Sequence, residues 1–149
     1  WHEARIPTIA TPVPRGAFSW VTRKLKGHVT IPLVTTNRIN DPKVADDILA
    51  RGDADMVSMA RPFLADAELL SKAQSGRSDE INTCIGCHQA CLDQIFVGKV
   101  TSCLVNPRAC NETKMPIVAV TVPKNLAVVG ADPAGLAFAI NAAARGHHV

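Results

Sequence analysis

Val29-Thr30-Ile31-Pro32-Leu33-Val34-Thr35-Thr36 is a β-branched run of the kind that forms a buried strand. Pro32 lacks an N–H, so it fits only near that strand's start. Asp41-Pro42 follows, an N-cap and a first helical residue. Val44, Ala45, Ile48 and Leu49 then share one helical stripe, which Gly52 ends. Asp55-Met56-Val57-Ser58-Met59-Ala60 predicts the next strand. Asp66 predicts the cap of a further helix, with Leu69, Leu70 and Ala73 inward and Gly76 after it. Strand, helix, strand and helix with short connections form a parallel β/α pattern. Upstream, Pro7, Pro12 and Pro14 make a loop, and a short amphipathic helix over residues 18–25 closes at Gly27.

Downstream the rhythm breaks. Cys84, Cys87, Cys91 and Cys103 stand at C-x2-C-x3-C-x11-C. Four cysteines at short spacings suit a [4Fe-4S] cluster, one thiolate per iron. Zinc is the main rival. Structural zinc sites pair two C-x2-C knuckles, or one knuckle with two His. Here one C-x2-C is present, and His88 has no His partner at a suitable offset. Unligated thiols are the third reading. Cys110 reads as a small buried apolar side chain outside the set. Residues 79–115, with Gly86, Gly98 and Pro107, read as an irregular segment shaped by its ligand.

Residues 116–124, with Pro116 and Pro123, read as a linker or an edge strand. Leu126-Ala127-Val128-Val129-Gly130 predicts a strand, residues 134–145 an Ala-rich helix closed by Gly146, and His147-His148-Val149 a new strand. Gly130, Asp132 and Gly135 therefore sit where a dinucleotide fingerprint, G-x-G-x-x-G, belongs. Gly130 allows the tight turn, and Gly135 lets the helix come close. Asp132 replaces the glycine at which the backbone meets the pyrophosphate, and its carboxylate crowds and repels a phosphate there. An ordinary βα turn that binds nothing is the plain alternative.

The 149 residues carry a net charge of +3 with no basic run, which argues against nucleic acid as a partner. No run of about 18 apolar residues is present to span a membrane. Nor does a signal peptide open the sequence. Five clustered cysteines do not make a secreted disulfide framework, and a reducing cytoplasm suits thiolate ligands. The sequence opens on Trp1 in mid-motif and stops at Val149 as a strand begins. It reads as an internal fragment whose first partner is the remainder of the same polypeptide.

Several stretches carry a resemblance. They are Trp1-His2-Glu3-Ala4-Arg5-Ile6-Pro7-Thr8, Val34-Thr35-Thr36-Asn37-Arg38-Ile39, and Asp55-Met56-Val57-Ser58-Met59-Ala60-Arg61-Pro62-Phe63-Leu64. Asn82-Thr83-Cys84-Ile85-Gly86-Cys87, continuing to Cys103-Leu104-Val105-Asn106-Pro107, and the dinucleotide start complete the set. Together they resemble the Old Yellow Enzyme-like group of iron–sulfur flavoproteins that includes trimethylamine dehydrogenase. Within that group they resemble the bacterial 2,4-dienoyl-CoA reductases (NADPH).

The resemblance implies an α/β architecture in four parts. Residues 1–78 would be the last two β/α units of an FMN-binding (β/α)8 TIM barrel, and 79–115 a [4Fe-4S] segment. Residues 116–124 would be a linker, and 125–149 the truncated start of a Rossmann-like FAD/NAD(P)-binding domain. It further implies electron flow from NADPH to FAD, through the cluster, to FMN. A 2,4-dienoyl-CoA or related enoate then takes hydride from FMN and a proton from a side chain, so acyl-CoA is the small-molecule partner. His2 resembles the histidine that supports proton donation. The tyrosine that assists it has no counterpart, since the chain has no Tyr. Arg38 resembles the arginine near FMN, and Ala60 and Arg61 match the turn that holds the FMN phosphate. Structural arginines, on a surface loop or in a barrel-end salt bridge, are the alternative. Arg5 resembles a substrate contact. Another member of the group, trimethylamine dehydrogenase-like or an enone reductase, is the neighbouring functional reading. A zinc-binding structural module and an inactive remnant are the readings outside it.

Overall fold

A computed structural model describes residues 9–149. His2 and Arg5 lie outside the described residues. The chain divides into two compact units, one up to Asn111 and one over Glu112–Val149.

In the first unit, helix α1 (Ser19–Leu25) precedes β1 (Val34–Thr35), α2 (Pro42–Ala50) and β2 (Met56–Val57). The two strands pair in parallel, Val34 opposite Met56 and Thr35 opposite Val57. The predicted β-α-β crossover is therefore present, but its strands are much shorter than residues 29–36 and 55–60. Pro32 has no N–H, and the next amide, Leu33 N–H, donates to the Asp55 carboxylate at 2.7 Å instead of to a neighbouring strand. Pairing starts where the Leu33 carbonyl accepts from Asp55 and Met56. Ile31 is 68% exposed and Val34 46%, so this run is not the buried strand that its composition predicts.

Helix α2 starts as predicted. Asp41 is its N-cap, the carboxylate accepting from Lys43 N–H at 2.9 Å, and Pro42 opens the first turn. Ala45 and Ile48 bury with Ile39 and Ala54, and Val44, Val57 and Met59 pack against them. A fully buried Ile side chain contributes about 1.5–3 kcal/mol, and Ile48 is 1% exposed. Leu49, predicted on the same stripe, is exposed. It lies at the stripe's edge, beyond the reach of the short sheet.

Helix α3 (Arg61–Ala65) was not predicted, and it takes the residues expected to end a strand. Ala60 is its N-cap and Arg61 its first residue, because Pro62 suits the first turn of a helix and not a ladder. Asp66 ends α3, and α4 (Leu69–Gln74) follows. Asp66 does serve the next turn, its carboxylate accepting from Glu68 N–H at 2.9 Å. Leu69 is fully buried, but Leu70 is 58% exposed against expectation. A helix this short turns only one residue fully inward.

A 3-10 turn (Ser78–Glu80) leads into the irregular cysteine-rich segment, where α5 (Leu92–Phe96) is the only helix among the described residues. Helix α6 (Pro133–Ala144) dominates the second unit. The predicted strand over residues 126–130 is absent. A parallel bridge between Asn125 and His148 replaces it, and Val129 is fully exposed. Leu126 N–H donates to the His148 carbonyl and His148 N–H to that of Lys124, so the pairing ends one residue later. Among the described residues no helix is long and apolar enough to cross a membrane.

Candidate functional site

Asn37 and Arg38 follow β1 with φ of 73° and 56°, a left-handed pair. Non-glycine residues in that region carry strain of about 1–3 kcal/mol each, which the surroundings must hold. Here the hold is visible. The Arg38 carbonyl accepts from Gly16 N–H at 2.7 Å. Its guanidinium donates from Nε to the Val13 carbonyl at 2.8 Å and from Nη2 to that of Thr11 at 3.4 Å. Arg38 is 7% exposed, so it is no surface-loop arginine. Burial first, then the charge of Arg61, pushes its pKa down, with Cys84 opposing. An arginine so shifted still stays cationic at neutral pH.

Arg38, Arg15, Thr11 and Asn40 line a cleft of about 520 Å3, closed on one side by Thr83, Cys84 and Ile85. Asn40 is 6% exposed. Its Nδ2 donates to the Cys84 carbonyl at 2.6 Å, while its buried Oδ1 has no partner among the described residues. A buried acceptor without a partner costs about 1–3 kcal/mol. A cation and an orphaned acceptor beside a cleft of that size suit a polar cofactor.

A second cavity lies beside the first. Cys84, Cys87, Cys91 and Cys103 all line it, with Arg61, His88 and an apolar wall that includes Leu64 and Leu104. Local bonds explain how the four come to line one cavity. Gly86 turns the chain between Cys84 and Cys87 with φ of 67°, and a Cβ there would sit 3.0 Å from Arg38 Nη1. Thr11 Oγ1 donates to the Ile85 carbonyl. The His88 carbonyl accepts from the amides of Cys91 and Asp93, starting α5. Ser102 N–H donates to Ala90 O at 2.7 Å, which returns Cys103 to the group. Asn106 Nδ2 then ties the segment to the Leu64 carbonyl at 2.9 Å.

All four thiols are half-buried, whereas Cys110 lies outside the cavity. Cys110 is exposed, not buried as its type predicts, and has φ of 61°. A left-handed turn carries its side chain outward. Among the described residues no three Cys, His, Asp or Glu converge on a point fit for one metal ion. A tetrahedral zinc with Zn–S bonds of ~2.3 Å needs such convergence. Four thiols around one apolar cavity suit a group with several metal atoms, each taking one thiolate. Burial pushes the Cys91 thiol up. The Leu92 amide and the Arg61 charge oppose that shift, and Cys87 and Cys84 reinforce it. A cationic group among the thiols would reverse that preference.

Arg61 lines the cysteine cavity and not the cleft. Its Nη1 donates to the Ile9 carbonyl at 3.3 Å and lies 2.6 Å from His88 Nε2. Burial first, then the Arg61 charge, holds His88 below the ordinary histidine range, outweighing the Ile9 carbonyl. Ala60 is exposed and meets neither cavity. The structure thus separates Arg38 from Arg61, which the resemblance placed at one FMN site. Sequence reasoning missed Thr11 and Asn40, and weighed His88 only as a zinc ligand. Only His88 carried a signal, its place between two cysteines.

In the second unit, Gly130 turns the chain with φ of 105°. A Cβ on Gly135 would lie 2.1 Å from the Gly130 carbonyl oxygen, so the helix start needs glycine there. Asp132 is the N-cap of α6, its Oδ1 accepting from Gly135 N–H at 2.7 Å. The carboxylate stands at the helix N-terminus, where a phosphate would bind.

The chain is similar to known proteins along almost all of its length. The chain is 46% identical to a metal reductase of Desulforamulus reducens over 149 residues, all of this chain and 22% of that protein. It is 38% identical to an NADH oxidase of Thermoanaerobacter brockii, over 97% of this chain and 23% of the relative. The solved structure of 2-naphthoyl-CoA reductase with 2-naphthoyl-CoA superposes with a TM-score of 0.89 at 34% identity, over 93% of this chain and 22% of that one. The chain therefore spans under a quarter of these relatives. Residues 1–80, more than half of its length, match one family throughout, and the chain belongs to the NADH:flavin oxidoreductase / NADH oxidase family.

Proposed function

We propose that the chain is the junction of an NADPH-dependent flavin and iron–sulfur oxidoreductase that reduces 2,4-dienoyl-CoA or a related enoyl thioester. One observation carries this reading. Cys84 and Ile85 line both the Arg38 cleft and the cysteine cavity, so a flavin in one and a cluster in the other would share a wall. The bound groups would supply the redox chemistry, the cluster passing single electrons between FAD and FMN, which accept or release pairs.

The chain's own residues hold and orient. Arg38 gives a cation to the FMN phosphate side of the cleft, and Asn40 offers Oδ1 to the flavin while fixing the Cys84 carbonyl. Arg61 keeps Nε and Nη2 for an anion, since its hydrogen bonds within the described residues leave from Nη1. Ala60 contributes backbone at the start of α3. Cys84, Cys87, Cys91 and Cys103 ligate the cluster. Gly130 and Gly135 shape the FAD turn. His2 and Arg5 keep the proton-transfer and substrate roles implied by resemblance. Likeness to a protein solved with 2-naphthoyl-CoA supports a CoA thioester as substrate class. The cytoplasm suits such cofactors and thiolates.

The test uses the full-length protein, prepared without oxygen. NADPH should bleach its flavin and cluster absorbance, and a 2,4-dienoyl-CoA should restore it with loss of the dienoyl chromophore. Bleaching that no enoyl thioester reverses would overturn the substrate assignment. A second reading has the same electron path ending on a metal ion, favoured by the 46% identity to a metal reductase. Fe(III) restoring the absorbance where thioesters fail would establish it.

A further inference from the structure

We infer that His88 is a positioning residue that holds the Arg61 guanidinium at the wall of the cysteine cavity, where the cation raises the reduction potential of the cluster. The inference rests on the cluster reading above. Arg61 Nη1 lies 2.6 Å from His88 Nε2. Guanidinium nitrogens only donate. His88 Nε2 is therefore the acceptor and the ring proton sits on Nδ1. The Ile9 carbonyl lies 3.3 Å from the same Nη1 and 3.2 Å from Nε2, and with Nε2 unprotonated it accepts from Arg61 and not from the ring.

The ring is held for this task. His88 is 8% exposed and has φ of 68°. Its carbonyl is occupied by the amides that begin α5. Histidine and asparagine tolerate this backbone better than most residues. Backbone and ring are thus both fixed, and Arg61 is fixed through them beside thiols that lie on both sides of His88 in sequence. A positive charge there favours the more negative, reduced state of a bound cluster, and net charge is a known lever on cluster potential.

The experiment is potentiometric titration of the cluster in the full-length protein reconstituted with iron and sulfide, with iron and FMN content measured alongside. Three variants divide the idea. His88→Asn suits the backbone but is too short to reach Arg61. His88→Gln brings an amide oxygen to about the place of Nε2. Arg61→Gln removes the charge. Expected is a downward shift for Arg61→Gln of roughly tenfold in the one-electron equilibrium, ~59 mV. His88→Asn should shift in the same direction, the double variant no further than Arg61→Gln, and His88→Gln should stay near wild type. A loaded Arg61→Gln or His88→Asn protein at the wild-type potential overturns the inference while leaving the cluster reading intact. Additive shifts in the double variant overturn it too. A wild-type protein that takes up no iron and sulfide overturns the cluster reading and this inference with it.

Discussion

Asp66 shows how much one side chain organises here. It is 5% exposed and accepts from Lys72 Nζ at 2.7 Å, Asn82 N–H at 2.9 Å and Glu68 N–H at 2.9 Å. Burial alone would push its carboxyl up, but those hydrogen bonds and the Lys72 charge outweigh burial and hold it below the usual range. A depressed carboxylate contributes stability that is present above its unfolded value, about 3.9, and lost as pH falls through the folded value. Urea midpoints of the full-length protein should therefore drop below about pH 4. Asp66→Asn should cost roughly 1–3 kcal/mol at neutral pH, by taking the carboxylate from the half-buried Lys72, which keeps the Glu80 carbonyl at 3.1 Å, and lose that part of the acid dependence. Equal midpoints for both forms at pH 7 would show that the bridge does not stabilise. The sequence marked Asp66 as the N-cap of the next helix, whereas it ends α3 and Glu68 is the N-cap of α4, and nothing in the sequence marked its tie to Asn82. A tie across 16 residues depends on packing that no local pattern encodes. Arg38 and Arg61 repeat the lesson. Spacing after the strands placed both near one end of the sheet, whereas their division between cleft and cavity is set by which carbonyls of residues 9–13 each one reaches.

At the scale of elements, helices read more clearly than strands. Asp41-Pro42 capped a helix as predicted, because cap chemistry is local; Asp132 caps α6 as well, a role that its reading as a misplaced fingerprint residue overlooked. Strands need partners. Residues 29–36 have β-branched composition but form a ladder only at Val34–Thr35, with a lone bridge at Val29, and the run over 126–130 is reduced to a bridge at the preceding Asn125. The start of α6 is the sharpest element to test. Gly135→Ala would place a methyl 2.1 Å from the Gly130 carbonyl. Overpacking of this kind costs about 1–3 kcal/mol, and FAD content of the full-length protein should fall with it. An unchanged FAD content and melting temperature would mean that the turn yields freely. Asp132→Gly should act in the other direction. It frees the Gly135 N–H for a phosphate, while glycine weakens the cap by only a few tenths of a kcal/mol. FAD occupancy should rise, and equal occupancy in both forms would show that the carboxylate swings aside when the cofactor binds.

At the scale of the whole molecule, the chain is part of an enzyme of the NADH:flavin oxidoreductase / NADH oxidase family. Its described residues leave much apolar surface open, with Ile31, Val100, Val129 and Ile140 each more than 65% exposed. Among the described residues the sheet has two strands and therefore two edges, which invite aggregation. Expressed alone, residues 1–149 should melt without cooperativity and show no turnover with NADPH and a dienoyl-CoA. A cooperative melt with turnover would mean that the segment is a self-contained enzyme. Order in the isolated chain should depend on metal, because ligation and folding are coupled. The central claim is that four cysteines around one cavity hold a cluster. It is tested most directly by iron and acid-labile sulfide analysis of the anaerobically reconstituted full-length protein and its single Cys→Ser variants. About four iron and four sulfide per chain are predicted, lost on changing Cys84, Cys87, Cys91 or Cys103 and kept on changing Cys110. Zinc without sulfide, or a cluster that needs Cys110 in place of one of the four, would contradict it.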